Sequence, residues 1–251
     1  MLTNKEIRAR ARALMQNTQN GYWKWAVLAV LIRQVLGTLI SLLPLGMAAS
    51  LAVEAIVSAL LMPLLIAGMA NLARKAWQDA PCGADDLLAF TRRSRLYWAA
   101  LQATLPLLAI QMMNELQNSF LQSGVLLSEA AGSVALQASF IALIVMLGLL
   151  YVTLRLTPVP YAFVQSPELP MQEIYALSWR RMKWHVCRAF ALVALPTVLS
   201  AVALICVSLL LAPLPALVGG VLSFLCTCAI QALLQPYLEL LDAGLSREVL
   251  Q

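Results

Sequence analysis

Charged residues are scarce in this chain of 251 residues: they make up 12% of it, whereas 61% is hydrophobic. A soluble domain is about 25% charged and about 45–50% apolar, so these charges could not cover the surface of a soluble globule of this size. The deficit excludes a cytosolic enzyme, a disordered chain and a secreted scaffold held by disulfides. The composition instead predicts an α-helical protein with several membrane spans.

Cysteine and histidine are too few and too poorly spaced for a disulfide framework or a metal site. The five cysteines are an odd number without a C-x-x-C spacing, which argues against both. His185 is the only histidine and lacks converging partners, so we interpret it as a polar residue of the membrane interface. The sequence also lacks phosphate-binding, dinucleotide-binding and hydrolase motifs. We therefore expect no catalytic residues, no cofactor and no metal.

The chain does contain a series of apolar runs, each long enough to cross a bilayer as a helix. We predict six transmembrane helices, at about 22–43, 47–70, 96–113, 134–154, 189–212 and 216–241. Turns at 44–46 and 213–215 join two pairs of them as hairpins. The predicted fold class is therefore all-α, a polytopic membrane helical bundle in one domain, 1–251, with six transmembrane helices in three hairpins.

Basic residues lie almost entirely on one side of these spans. If the N-terminus is in the cytoplasm, the outer segments 44–46, 114–133 and 213–215 contain no Lys or Arg, and sixteen of the seventeen basic residues fall in inner segments. Arg33, within the first span, is the exception. This asymmetry is the positive-inside rule, and it predicts a multi-pass membrane protein with both termini in the cytoplasm.

Three basic, amphipathic segments precede the hairpins, at about 4–16, 84–95 and 171–184. The second and third align at an offset of 88 residues, with an acidic residue first and two adjacent arginines later: DDLLAFTRRSR and EIYALSWRRMK. We interpret all three as cytoplasmic interfacial helices that lie in the headgroup layer. The three units could form an internal repeat, or the shared pattern could arise from membrane topology alone.

Tryptophan accompanies the cations on the predicted cytoplasmic side, where indole rings prefer the headgroup layer. We expect the bilayer and its anionic phospholipids as partners at this face. A membrane-protein partner or a homo-oligomer is an alternative, and no nucleic acid is expected. The residues expected to face lipid or a partner are Arg92, Arg93, Arg95, Trp98, Trp179, Arg180, Arg181, Lys183, Trp184 and His185.

Arg33 and Glu54 form the sharpest candidate pair within the spans. Both lie about 14–17 Å from the turn between the first two helices at 1.5 Å per residue, so they share a depth. Charges within spans usually pair or line a wet cavity. The pair could be a gate or a contact for an ion or substrate, but we favour a structural ion pair that fixes the register of the hairpin.

Three groups of residues carry a resemblance to a known family. They are Asn20-Gly21-Tyr22-Trp23 after the basic N-terminus; Pro63-Leu64, Gly68, Asp85-Asp86-Leu87-Leu88 and Phe90; and Pro160-Tyr161, Pro167-Glu168-Leu169, Glu173, Ser178, Met182-Lys183 and His185. In these residues the chain resembles an uncharacterised family of bacterial integral membrane proteins, domain of unknown function 975. It departs from that family's pattern at Arg155 and Thr157-Pro158, where a proline-glycine turn is expected. The resemblance implies membrane topology and bacterial origin, and hence a place in the bacterial inner membrane, and it implies no activity.

The functional expectation is a non-enzymatic membrane protein that acts through its basic, tryptophan-rich cytoplasmic face. It would serve as an adaptor, a membrane-homeostasis factor or an immunity factor. The alternative is a small transporter or channel with Arg33 and Glu54 near the path. Chemistry on lipid headgroups, using Glu173, His185 or Asp85, ranks last because no converging set of groups supports it.

Overall fold

The computed structural model describes residues 2–41, 47–90, 95–104, 106, 144–145, 147–211 and 216–250, and this part of the chain is helical without strands. The all-α fold class is thereby confirmed. A short 3₁₀ turn, Thr18–Asn20, joins the first two α-helices. In chain order the α-helices are α1 (Asn4–Gln16), α2 (Tyr22–Ser41), α3 (Met47–Trp77), α4 (Ala84–Leu87), α5 (95–104), α6 (147–156), α7 (Val159–Gln165), α8 (Met171–Met182), α9 (Val186–Leu211) and α10 (Ala216–Leu250).

Four helical stretches are long and apolar enough to cross a membrane: Tyr22–Ile40, Leu147–Gln165, Val186–Leu211 and Val218–Leu250. They overlap the first, fourth, fifth and sixth predicted spans. The second predicted span lies within α3, which continues past it to Trp77. The end of the third span and the beginning of the fourth lie outside the described residues. Six spans in three hairpins therefore stay a prediction.

The buried core lies at one end of the helices. There the C-terminal halves of α3 and α10 meet α1, the start of α2, α7 and α8. The opposite ends of α2 and α9 expose large apolar side chains, such as Leu39 (55% exposed) and Leu210 (75% exposed). Apolar surface of this extent is stable against lipid rather than water, as a protein with membrane-spanning helices requires.

One stretch of α10 receives hydrogen bonds from three aromatic side chains on three other helices. Buried hydroxyl and indole donors need acceptors, and each carbonyl oxygen can accept a second hydrogen bond. The bonds therefore tie α2, α3 and α7 to the same part of α10. They join the Tyr22 hydroxyl to the Pro236 carbonyl (2.8 Å), the Tyr161 hydroxyl to the Glu239 carbonyl (3.0 Å) and the Trp77 indole nitrogen to the Leu240 carbonyl (2.8 Å).

The first predicted interfacial helix belongs to the protein core. α1 begins with a capping box, in which Glu6 accepts a hydrogen bond from the Thr3 amide and the Thr3 hydroxyl accepts one from the Glu6 amide. Ile7, Ala11 and Leu14 recur at helical spacing and are buried, with α1 packed against α10 and α9. The apolar stripe of α1 is therefore covered by protein rather than by lipid, and its position in the headgroup layer stays a prediction.

Two arginines of α1 bind backbone carbonyls of other helices. Pro196 has no amide hydrogen, so the carbonyl of Leu192, four residues earlier, loses its partner within α9. Arg8 donates to that carbonyl at 3.4 Å and also to the carbonyl of Ala191. Arg10 donates to the carbonyl at the end of α3 at 3.1 Å. These two cations anchor α1 to the bundle.

The second predicted interfacial helix, 84–95, is a single turn in the described residues. α4 covers Ala84–Leu87 only, and residues 91–94 lie outside the described part. This turn lies directly on α3, where the Lys75 ammonium contacts the Asp86 carboxylate at 2.6 Å. The approach is so close that a Cβ atom at Gly68 would overlap the Leu87 carbonyl. Gly68 is thus required for the packing of α4 on α3.

Replacing Gly68 with alanine should destabilise the protein by about 1–3 kcal/mol, because one of the two backbones would have to move. Thermal unfolding of the purified protein in detergent measures the effect. The matched control is Gly37→Ala in α2, where a Cβ atom meets nothing within 4 Å and stability should change by less than about 1 kcal/mol. Equal effects of the two substitutions would contradict the close contact.

Candidate functional site

α8 and the three residues after it contain six of the ten residues predicted to face lipid or a partner, and α8 has one buried and one exposed face. Ile174, Ser178 and Met182 follow one another every four residues and are buried. Residues four apart lie on the same side of a helix, so this stripe packs into the protein. Arg180 and Arg181 lie on the opposite side and are exposed. The apolar face of α8 thus needs no lipid, and its cations point outward.

A buried arginine packs against the inner side of this exposed face. Arg155 is only 5% exposed, and its guanidinium carbon lies 4.2 Å from the ring centre of Trp179 and 5.3 Å from that of Tyr151. The Ser178 hydroxyl donates to the Arg155 carbonyl at 2.8 Å. Within the described residues Arg155 has no carboxylate partner, so the two ring faces supply the negative potential that a buried cation needs. In the sequence Arg155 stands out only as a departure from a family pattern.

α8 is also held by Tyr175, whose hydroxyl donates to the backbone carbonyl of Gln102 in α5. Burial raises the pKa of Tyr175 to about 12, so the hydroxyl keeps its proton at neutral pH and remains a donor. Two contacts, one through Tyr175 and one through Trp179, therefore fix the orientation of α8 on the bundle.

The exposed residues continue past the end of α8. Trp184 is 83% exposed, the most exposed large apolar side chain of the described residues, and the Lys183 ammonium lies 5.1 Å from its ring centre. His185 is half-buried, and its amide donates to the Met182 carbonyl at 2.9 Å. We name the exposed set the α8 surface: Trp179, Arg180, Arg181, Lys183 and Trp184.

The other predicted surface residues lie on and before α5. Arg92 and Arg93 are outside the described residues. Arg95 lies 3.6 Å from Glu168, just before α8, in an ion pair whose side chains are both more than 80% exposed. Such a pair adds little stability, but it shows that Arg95 lies beside the segment leading into α8. Trp98, 60% exposed, is on the same short helix.

Arg33 has an acidic neighbour that the sequence-based prediction missed. Glu239 of α10 lies within electrostatic range of Arg33, accepts a hydrogen bond from the Tyr161 hydroxyl at 2.9 Å and receives a long one, 3.4 Å, from Gln235. Glu54 belongs to α3, but its side chain lies outside the described residues, so its pairing with Arg33 stays a prediction. The signal that could have found this neighbour is Glu239 itself, an ionisable residue within a predicted span.

Two observations concern metal binding and nucleophilic groups in the described part of the chain. No group of three or more His, Cys, Asp or Glu there could hold a metal ion. Cys82 lies between α3 and α4, where burial, and secondarily the charge of Asp86, raises the pKa of its thiol to about 11. A thiol with such a pKa is protonated at neutral pH and makes a poor nucleophile.

Comparison with known proteins gives no relative: no protein-family model, curated protein or solved structure matches this chain. The resemblance to domain of unknown function 975 therefore stays a prediction. The α8 surface and the polar group around Glu239 are the features from which function can be argued.

Replacing Trp179 with alanine should lower stability by about 2 kcal/mol, because Arg155 would lose the nearer of its two ring partners. Trp179→Phe keeps a ring face and should cost less. Thermal unfolding in detergent, followed by circular dichroism, measures both. In an Arg155→Met background the cost of Trp179→Ala should shrink, since the buried charge is gone. An undiminished cost there would show that the ring packs without serving the cation.

Proposed function

We propose that this chain is a non-enzymatic, multi-pass protein of the bacterial inner membrane that binds anionic phospholipid at its cytoplasmic face through the α8 surface. In this proposal it serves as an adaptor or as a membrane-homeostasis or immunity factor. Lipid recruits or orients it, and a second membrane protein is the alternative partner at the same surface.

The observation that carries the proposal is the division of α8 into two faces. An interfacial helix ordinarily buries its apolar face in lipid, but the apolar face of α8 is buried in the protein. What it presents outward is a set of cations mixed with two indole rings, and Trp184 is 83% exposed. Indole rings and cations together suit the headgroup layer, where the rings sit at the interface and the cations meet lipid phosphates.

The charge of this surface favours anionic lipid over zwitterionic lipid. Arg180, Arg181 and Lys183 are all exposed, and Glu173 is the single acidic residue of α8. A basic residue close to an anionic membrane surface contributes about 1 kcal/mol of attraction. Three cations on one short segment therefore give a preference large enough to measure, and one that salt should weaken.

Quenching of tryptophan fluorescence by brominated lipid in nanodiscs tests this surface in the full chain. Brominated phosphatidylglycerol should quench more strongly than brominated phosphatidylcholine, and the excess should fall as sodium chloride is raised. The combined substitution Arg180→Gln, Arg181→Gln and Lys183→Gln should remove the excess by weakening the lipid preference about tenfold or more. Trp184→Phe should remove much of the lipid-dependent signal.

The control variant combines Lys5→Gln and Arg12→Gln, two exposed cations of α1, and should keep most of the excess quenching. An equal loss per charge in the control would assign the preference to net charge rather than to the α8 surface. Equal quenching by the two lipids in the unmodified protein, at any salt concentration, would contradict the proposal.

A small transporter or channel is the second candidate function, and one observation favours it. Glu239 carries a carboxylate inside a candidate span, bonded to Tyr161 and within electrostatic range of Arg33. Ionisable residues at such positions often mark a path for ions or protons. The same contacts also suit a structural role, since Tyr161 and Arg33 give the carboxylate partners from two other helices.

The substitution Glu239→Gln tests whether the Glu239 carboxylate serves ion transport or only the stability of the bundle. If lipid binding is the function, proteoliposomes with and without the protein hold an ion gradient equally well. The substitution then lowers only stability, by about 1–2 kcal/mol, since the Tyr161 hydroxyl loses a charge-assisted hydrogen bond. Glu173→Gln, an exposed acid of α8, is the control and should leave both readouts unchanged. Ion flux that Glu239→Gln abolishes would establish the transporter instead.

A further inference from the structure

A pocket of about 180 Å³ opens between α3, α7 and α10, away from the α8 surface. Its polar lining comes from Arg74 and Gln78 of α3, Tyr161 and Gln165 of α7, and Arg247 of α10. By volume it can hold a phosphate-sized group together with several water molecules. Because no residue of α8 lines this pocket, ligand binding there is independent of the proposed function.

The two arginines of this pocket are poorly satisfied by the protein. Arg74 reaches the Asn71 amide oxygen at 3.5 Å, and its buried Nε has no hydrogen-bond partner. Arg247 reaches the carbonyl of Trp77, also at 3.5 Å. Both distances lie beyond the usual range of 2.7–3.2 Å for such bonds. Neither guanidinium forms an ion pair with a described residue.

The acidic residues that follow Arg74 in the sequence are occupied elsewhere, and Glu248, next to Arg247, accepts a hydrogen bond from the Leu2 amide at 2.8 Å. The Asp79 carboxylate pairs with Arg10 at 3.1 Å, and Asp86 pairs with Lys75 at 2.6 Å. No carboxylate lines the pocket among the described residues. Glu239 and Asp242 lie within electrostatic range of Tyr161 in the lining, but among the described residues neither forms an ion pair with Arg74 or Arg247. Two guanidinium groups that line one space repel each other, and an anion between them relieves that repulsion.

Capping of helix ends explains the positions of Arg74 and Arg247 less well than anion binding does. Arg74 and Arg247 lie in the last turns of α3 and α10, where a cation offsets the negative end of the helix dipole. The terminal carbonyl of α3, however, already accepts a hydrogen bond from Arg10 at 3.1 Å. Dipole compensation also gives no reason for Gln78 and Gln165 to line the same space.

We propose that this pocket binds a phosphate group. Two guanidinium groups offer paired N–H donors that match phosphate oxygens, and the amides of Gln78 and Gln165 add neutral donors. The group can belong to a phospholipid, since basic pockets between membrane helices bind lipid headgroups, or to a soluble phosphate monoester. The recognised chemistry is the same in both cases, and the choice of probe distinguishes them.

Ligand-dependent thermal unfolding of the full chain in neutral detergent tests the pocket. The soluble probes are inorganic phosphate and glycerol 3-phosphate, with sodium chloride at matched ionic strength as their control. The lipid probe is dioctanoyl phosphatidic acid, with dioctanoylglycerol, which lacks the phosphate, as its control. A ligand that binds only the folded state raises the unfolding temperature with a saturable concentration dependence. The probe that does so identifies the source of the phosphate.

Variants locate the effect in this pocket. Arg74→Gln and Arg247→Gln should each weaken the apparent affinity about tenfold or more, and Arg247→Lys, which keeps the charge but loses the paired donors, should weaken it several-fold. Gln165→Ala should weaken the apparent affinity a few-fold. Because Gln165 is exposed and uncharged, this variant should fold normally, so it still tests the pocket if the arginine variants misfold. Arg12→Gln is the matched control and should bind as the unmodified protein does.

Stability without ligand separates the site from a structural role. Removing one of two like charges should leave the ligand-free unfolding temperature unchanged or raise it, whereas loss of a capping arginine would lower it. The proposal is overturned if no phosphate-bearing probe gives a saturable shift, or if Arg74→Gln and Arg247→Gln show the same shift as the unmodified protein. The triple α8 variant should keep the shift, which keeps this result separate from the lipid preference of the α8 surface.

Discussion

The bundle depends on a short stretch of α10 that accepts hydrogen bonds from Tyr22, Trp77 and Tyr161. Each donor is buried, so each must find an acceptor at the place where its helix crosses α10. These bonds bring α2, α3 and α7 to one level, and Gly244 lets the Trp77 ring lie directly against α10. α1 and α8 then pack on the core that results. The remaining length of the spans is left with apolar side chains on the outside.

Three sets of cations differ in how the protein uses them. Arg8, Arg10 and Arg155 lie where the core forms, and their guanidinium groups are used on carbonyls or on aromatic rings. Arg74 and Arg247 lie at the rim of the core, with only long contacts to the protein. Arg180, Arg181 and Lys183 of the α8 surface are exposed. Cations that the protein does not use internally are the ones available to phosphate, whether at the surface or in the pocket.

Glu239 connects the structural and functional interpretations of the spans. It binds the Tyr161 hydroxyl close to the same stretch of α10 that the aromatic donors hold, so its carboxylate belongs to the interactions that assemble the bundle. That position supports a structural role for the charge near Arg33. If ion flux were found, the ionisable group of the transporter would lie in the stretch of α10 that holds the helices together.

The sequence by itself determined the class of protein and much of its local structure. A shortage of charge and long apolar runs require helices in a membrane, since backbone groups in lipid must bond within their own helix. The basic, amphipathic pattern of 171–184 likewise predicted that Arg180 and Arg181 face outward, because helical period is a local property. The burial of Ile174, Ser178 and Met182 in protein was decided by the tertiary structure.

Tertiary structure alone decided which groups meet. Arg8 finds the carbonyl of Ala191, 183 positions away along the chain, and Arg155 finds the ring of Trp179 in place of a carboxylate. Local pattern marked 4–16 as an interfacial helix, yet its apolar face is covered by α10 and α9. An amphipathic sequence specifies that a face must be buried, but lipid and protein satisfy that requirement equally. The choice between them comes from packing between segments far apart in the chain.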